Sequence, residues 1–179
     1  MEAALAGGDL LASARSGDAS AFAILLDPVW EPAYRLAFSM LREQGAAEDA
    51  VQEAALKAWR NVRRLRPDTS TLRPWFLTIV ANQCRSMRRN RWWTVVRLAN
   101  PPEKEDAGDS DIEEGLDLRR AMRTLPDEYR LVLALRYFVD LPVDEVAQVI
   151  GISVPATKSR ILRALKAAWA ALDRAAKTV

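Results

Sequence analysis

The sequence has no histidine and a single cysteine, Cys84, among its 179 residues. One cysteine excludes an internal disulfide. Without histidine, a structural zinc site or a Ser-His or Cys-His catalytic pair lacks its usual ligand or base. Only seven glycines are present, and none clusters into a phosphate-cradling P-loop or a dinucleotide fingerprint. No pair of carboxylates stands in an apolar setting that would tune one of them for acid–base work. No apolar run approaches the ~20 residues that span a bilayer. The chain opens with an acid, Glu2, rather than the basic stretch of a secretory leader. These absences predict a cytoplasmic protein with no metal, cofactor or membrane contact of its own, and they disfavour an enzyme while leaving carboxylate, lysine or tyrosine catalysis open.

What is present is helical. Apolar residues make up 50% and charged residues 28% of the chain, a globular balance. The net charge of +2 conceals segregation. Residues 1–99 carry 14 Lys/Arg against 10 Asp/Glu, residues 100–118 one lysine against eight acids, and residues 119–179 11 basic against six acidic side chains. Two basic blocks separated by an acidic connector are the pattern that the fold and function must explain. The connector 100–115 (NPPEKEDAGDSDIEEG) reads as a solvated linker. The expected division is a first domain at 1–98, a linker at 99–117 and a second domain at 118–179.

Ala, Leu, Arg and Glu dominate elsewhere with a period near 3.6, and no stretch alternates as a strand does. The fold class is therefore all-α, with two small helical domains. The pattern predicts a short helix at 8–16 ended by Ser16-Gly17-Asp18. A second begins at Ala19, is broken or restarted at Asp27-Pro28 and Glu31-Pro32, and ends at Gly45. A third spans 46–62, followed by an irregular basic stretch at 63–73. A long helix at 74–93 has proline in its first turn. Within it Trp75, Phe76, Ile79 and Val80 read as core, and Trp92 and Trp93 as core or interdomain packing, with stacking on nucleobases as the alternative. In the second domain 117–124 starts a helix, and Pro126-Asp127-Glu128 opens another that runs to Phe138.

Residues 142–172 carry the sharpest local pattern. A short helix at 143–150, the turn Gly151-Ile152-Ser153, and a longer helix to about 175 make a helix-turn-helix layout. Ala147 is small enough for the helix crossing, with Val146, Ile150, Ile152 and Ile161 as a small core. On the last helix, Ile161, Leu165, Ala168, Trp169 and Leu172 share one face. Ser159, Arg163 and Lys166 lie opposite, with Arg160 and Leu162 at the margins and Lys158 reaching outward. A major groove takes such a surface: cations for phosphates, an arginine fork for guanine, and a hydroxyl and an apolar contact for other bases.

The stretch TLPDEYRLVLALRYFVDLPVDEVAQVIGISVPATKSRILRALKAAWAAL, residues 124–172, resembles the fourth conserved region of extracytoplasmic-function sigma factors. AEDAVQEAALKAWR, residues 47–60, is similar to the polymerase-clamp helix of their second region. RPWFLTIVANQCRSMRRNR, residues 73–91, resembles the helix that follows it. These stretches cover well over half of the chain in the family's order. The resemblance implies an alternative sigma factor that binds core RNA polymerase and directs promoter recognition.

The resemblance also implies roles by position. Asp49, Gln52 and Glu53 would dock on the clamp coiled coil of the largest polymerase subunit, while Leu56 and Trp59 read as core. Residues 62–73 match the loop that captures a flipped base of the minus-ten element, with Arg66, Asp68, Thr69 and Ser70 as polar candidates. Asn82, Arg85, Arg88 and Arg89 would face DNA there, duplex and melted. Lys158, Ser159, Leu162 and Arg163 would read the minus-thirty-five element, with Arg160 and Lys166 on phosphates. The helix 128–138 would sit on the flap of the second-largest subunit, and an anti-sigma factor would cover these surfaces. Three departures from the family pattern stand out. Pro155-Ala156-Thr157 replaces the usual Gly-Thr-Val, and Ala46-Ala47 occupy a place where a cap is common, so that a frayed helix start is expected. The linker is short and acidic. The rival reading is a stand-alone helix-turn-helix regulator, which needs a self-complementary dimer surface and a palindromic operator.

Overall fold

A computed structural model describes residues 2–65, 72–97, 121–122 and 124–176. Among these residues the secondary structure is entirely helical, as the all-α expectation requires. The chain forms two compact units, Met1–Met87 and Arg88–Val179.

The first unit holds α1 (Glu2–Ser16), α2 (Ala19–Leu41), α3 (Gln44–Asn61), a 3-10 turn (Val62–Arg64) and the start of α4 (Leu72–Arg97). Asp18 caps α2, its carboxylate accepting from the backbone N–H of Ser20 at 2.8 Å and of Ala21 at 3.1 Å. The expected break at Pro28 and Pro32 does not occur: both lie inside one continuous α2. Each proline removes a helical N–H. The loss is offset by the long apolar face of the same helix, on which Phe22, Leu26, Val29, Ala33, Leu36 and Met40 are buried on both sides of the prolines. Pro28 itself is exposed.

Gly45 does not end α2 either. Arg42 takes the left-handed conformation (φ 60°, ψ 26°) and donates its backbone N–H to the Phe38 carbonyl at 2.8 Å, which closes the helix as a glycine more often does. Gly45 instead lies in the first turn of α3. The expected fraying at Ala46-Ala47 is absent as well. The Glu43 carboxylate caps α3 by accepting from the Ala46 N–H at 3.0 Å. A Cβ on Gly45 would stand 2.9 Å from the Glu43 Oε1 atom, so the glycine leaves room for that cap. Glu43→Ala is expected to lower stability by about 0.5–1 kcal/mol, seen as a small fall in melting temperature; an unchanged melt would show that the cap contributes nothing.

The core of this unit is built on alanine. Ala47, Ala50, Ala54 and Ala58 of α3 are fully buried, and such a stripe lets α3 approach α2 closely. Phe76, Leu77, Val80, Ala81 and Cys84 of α4 are also fully buried. Trp75 and Ile79, expected in the core with them, are half-buried.

The second unit contains α5 (Asp127–Leu133), which runs on into a π-helical turn (Ala134–Phe138), then α6 (Val143–Ile150) and α7 (Val154–Ala176). The widened turn ends where Val139 donates to the Ala134 carbonyl and Leu141 to the Leu135 carbonyl, each at 3.0 Å. Asp140 sits between them at φ 54°, one of the few side chains that tolerate this region. Arg130 is buried in this unit, 7% exposed. Its Nε atom donates to the Met122 carbonyl at 3.2 Å and one terminal nitrogen to the Leu125 carbonyl at 2.9 Å. One guanidinium thus ties the segment before α5 to the helix itself. Burial pushes its pKa below the ordinary arginine value, without a proton being lost at any physiological pH. Most of residues 117–124, expected to be helical, lie outside the described residues.

Candidate functional site

The helix-turn-helix has the expected geometry. Gly151 adopts φ 74°, ψ 33°, with its N–H donating to the Ala147 carbonyl at 2.9 Å. The Ile152 N–H reaches the same carbonyl at 3.2 Å. A side chain at that φ is strained, so Gly151→Ala is expected to cost about 1–2 kcal/mol and Gly151→Asn less. Denaturant unfolding checks this, and equal stability of all three would contradict it. Ala147, Val146 and Ile161 are buried as expected, while Ile150 and Ile152 are only half-buried.

Ser153 starts α7. Its hydroxyl accepts from the Ala156 N–H at a long 3.4 Å. Its carbonyl receives both the Thr157 N–H at 2.9 Å and the Thr157 hydroxyl at 3.0 Å. Thr157 is fully buried, so the departure Pro155-Ala156-Thr157 keeps an intact first turn with its buried hydroxyl satisfied.

The face of α7 away from the core presents Lys158, Ser159, Leu162, Arg163 and Lys166, all exposed. The Arg163 Nε atom donates to the Ser159 carbonyl of its own helix at 3.3 Å. Arg160 is half-buried and pairs with Glu128 of α5 at 3.7 Å, so within this unit it already has a partner. Thr157, Ile161, Ala164, Ala168 and Ala171 form the buried side. Trp169, expected on the apolar face, is 66% exposed. The alanines at 164, 168 and 171 set the buried face, and the face centred on them leaves Trp169 on the far side of the helix. Leu165 and Leu172 are half-buried at the margin.

On α3, Asp49, Gln52 and Glu53 are all exposed, directly opposite the alanine stripe. Leu56, expected in the core, is instead 50% exposed. At i+3 and i+4 from Glu53 and Gln52 it shares their face. Trp59 is half-buried, its ring 5.1 Å from that of Phe22 and tilted by 52°. Sequence periodicity alone missed Leu56, because an alanine core face carries little apolar contrast against a single exposed leucine.

On α4, Asn82, Arg85 and Arg89 are exposed and Arg88 is half-buried. The Asn82 Oδ1 atom accepts from Arg85 at 3.0 Å. Arg66, Asp68, Thr69 and Ser70 lie outside the described residues, as do the side chains of Trp92 and Trp93. Among the described residues no helix is long and apolar enough to cross a membrane.

The family model described as Sigma-70 region 2 matches residues 31–94, and that described as Sigma-70, region 4 matches residues 115–167. The chain is 34% identical over 133 residues to RNA polymerase sigma factor SigV of Bacillus subtilis, covering 74% of this chain and 80% of the relative. Among solved structures it resembles CnrH in complex with the cytosolic domain of CnrY. The TM-score is 0.72 at 27% identity, covering 94% of this chain and 98% of CnrH. The same fold is found in the sigma factor RpoE, solved with the anti-sigma factor NepR from Bartonella quintana, with a TM-score of 0.68 at 24% identity over 85% of this chain and 96% of that one.

Proposed function

Because this chain belongs to the sigma-70 family, in its extracytoplasmic-function branch, and is an alternative sigma factor directing transcription initiation, we propose that two faces of its helices divide that task. Asp49, Gln52 and Glu53 dock on the clamp coiled coil of the largest polymerase subunit, and exposed Leu56 supplies the apolar centre that a polar rim needs. Lys158, Ser159, Leu162 and Arg163 read the minus-thirty-five element, with Arg160 and Lys166 on phosphates. Asn82, Arg85, Arg88 and Arg89, together with Arg66, Asp68, Thr69 and Ser70, serve the minus-ten element in duplex and melted form. Domain limits at 1–98, 99–117 and 118–179 suit this division, and α5 with its π-helical turn sits on the flap of the second-largest subunit. An anti-sigma protein holds the factor idle, a reading supported by the sigma factor RpoE, which shares this fold, having been solved with the anti-sigma factor NepR.

The mechanism needs no bond chemistry. Polymerase holds two weakly binding modules at promoter spacing, so the second contact forms at high effective concentration. Capture of a flipped base then favours the melted state, because only that state offers it. The observation that carries the promoter reading is the outward face of α7: two cations, a hydroxyl and an apolar side chain within two turns, all exposed.

The test uses the chain assembled with core polymerase on a promoter selected from a random-sequence library. Arg163→Ala is expected to weaken binding by about 5–150-fold and to relax preference at one base pair, as loss of a bidentate guanine contact does. Lys158→Ala is expected to weaken binding evenly across sequences and to reduce the salt dependence. If both variants match the parent on every sequence, α7 does not read the promoter.

A further inference from the structure

Trp169 is 66% exposed, although a tryptophan is among the largest apolar side chains a protein can shelter. It also stands in register with the DNA-reading residues. Lys158, Leu162, Lys166 and Trp169 follow one another at spacings of four, four and three along α7, and all four are exposed, so they form one stripe. Around Trp169 the exposed charges are Lys166 one turn before it and, one turn after it, Asp173 with Arg174 beside it.

The length of α7 decides what this stripe meets. Its 23 residues extend about 34 Å, whereas a major groove is about 12 Å wide. If residues 158–163 lie in the groove, a residue seven positions beyond Leu162 stands about 10 Å further along the axis. That distance carries it over the sugar-phosphate rim that borders the groove. The indole suits such a rim: its ring packs on a deoxyribose, and its N–H is a donor with no acceptor capacity, matching a phosphate oxygen. On the stripe leading to Trp169, Lys158 and Lys166 outnumber Asp173, a balance that favours a polyanion over a basic partner.

Resting on the assignment of α7 as the promoter-reading helix, we propose that Trp169 is a DNA-backbone contact that grips the duplex beside the minus-thirty-five element and adds affinity without sequence preference. The test compares Trp169→Ala, Trp169→Phe and Arg163→Ala in the full chain assembled with core polymerase. Each is measured on the selected promoter and on the same DNA with a scrambled minus-thirty-five element, with hydroxyl-radical footprinting of the flanking backbone. Trp169→Ala is expected to weaken both DNAs by about threefold to tenfold, leave the preference ratio unchanged, and lose protection at a flanking sugar. Trp169→Phe keeps the ring and is expected to fall between. Because Trp169 is exposed, the alanine variant is expected to melt like the parent.

A silent Trp169→Ala beside an impaired Arg163→Ala overturns this proposal and leaves the promoter reading standing. If both are silent, the promoter reading itself fails. If Trp169→Ala weakens association with core polymerase in the absence of DNA and leaves the footprint intact, the face belongs to the polymerase and the proposal is overturned.

Discussion

Replacing Asp49, Gln52 and Glu53 together by alanine is expected to weaken association with core RNA polymerase by on the order of 100-fold, with no change in melting temperature. All three side chains are exposed on α3, while the alanine stripe that holds the helix lies on the opposite side. The substitutions therefore remove a surface and leave the packing intact, and alanine is the best helix former. Size-exclusion chromatography with core enzyme reads the result. Co-elution of the variant equal to that of the parent would place the docking surface elsewhere. Leu56→Ala, which removes an apolar group that is 50% exposed, is expected to weaken the same association with equally little effect on stability.

Arg130→Met is expected to destabilise the second unit by about 2–3 kcal/mol, since it strips two carbonyls of their charged donor in a buried place. Arg130→Lys is expected to recover little. A single ammonium on a flexible stem does not fork to the Met122 and Leu125 carbonyls as the planar guanidinium does. Denaturant unfolding checks both variants. A methionine variant as stable as the parent would show that those carbonyls find other donors and that Arg130 does not anchor the segment before α5. Loss of the anchor is also expected to reduce promoter binding, because α5 packs against α7 and orients it.

Much of this was legible from the residues. The period near 3.6, the Gly151 turn and the stretch 47–60 place the helix-turn-helix and α3 where the structure has them. Where the fold departs from the local signals, packing outweighs them. Pro28 and Pro32 signal a break, but the apolar face running past both sides of them holds α2 together. Gly45 signals a stop, although Arg42 takes the left-handed position and the glycine makes room for the Glu43 cap. Leu56 and Trp169 have the size of core residues. In each helix alanines had already claimed the buried face, and the large residues were left outside. Arg130 gave no sequence signal, because its partners are backbone carbonyls that only the fold brings within reach.

Initiation by this chain rests on its carrying core polymerase to promoters, and transcription in vitro with purified chain, core enzyme and a template library tests this. Start sites absent with core alone are expected, each preceded by two elements at a fixed spacing. These starts are expected to disappear with the Asp49/Gln52/Glu53 triple variant and to fall sharply with Arg163→Ala. Specific binding of the free chain as a dimer to a palindromic site, with no new start sites from core enzyme, would contradict that role.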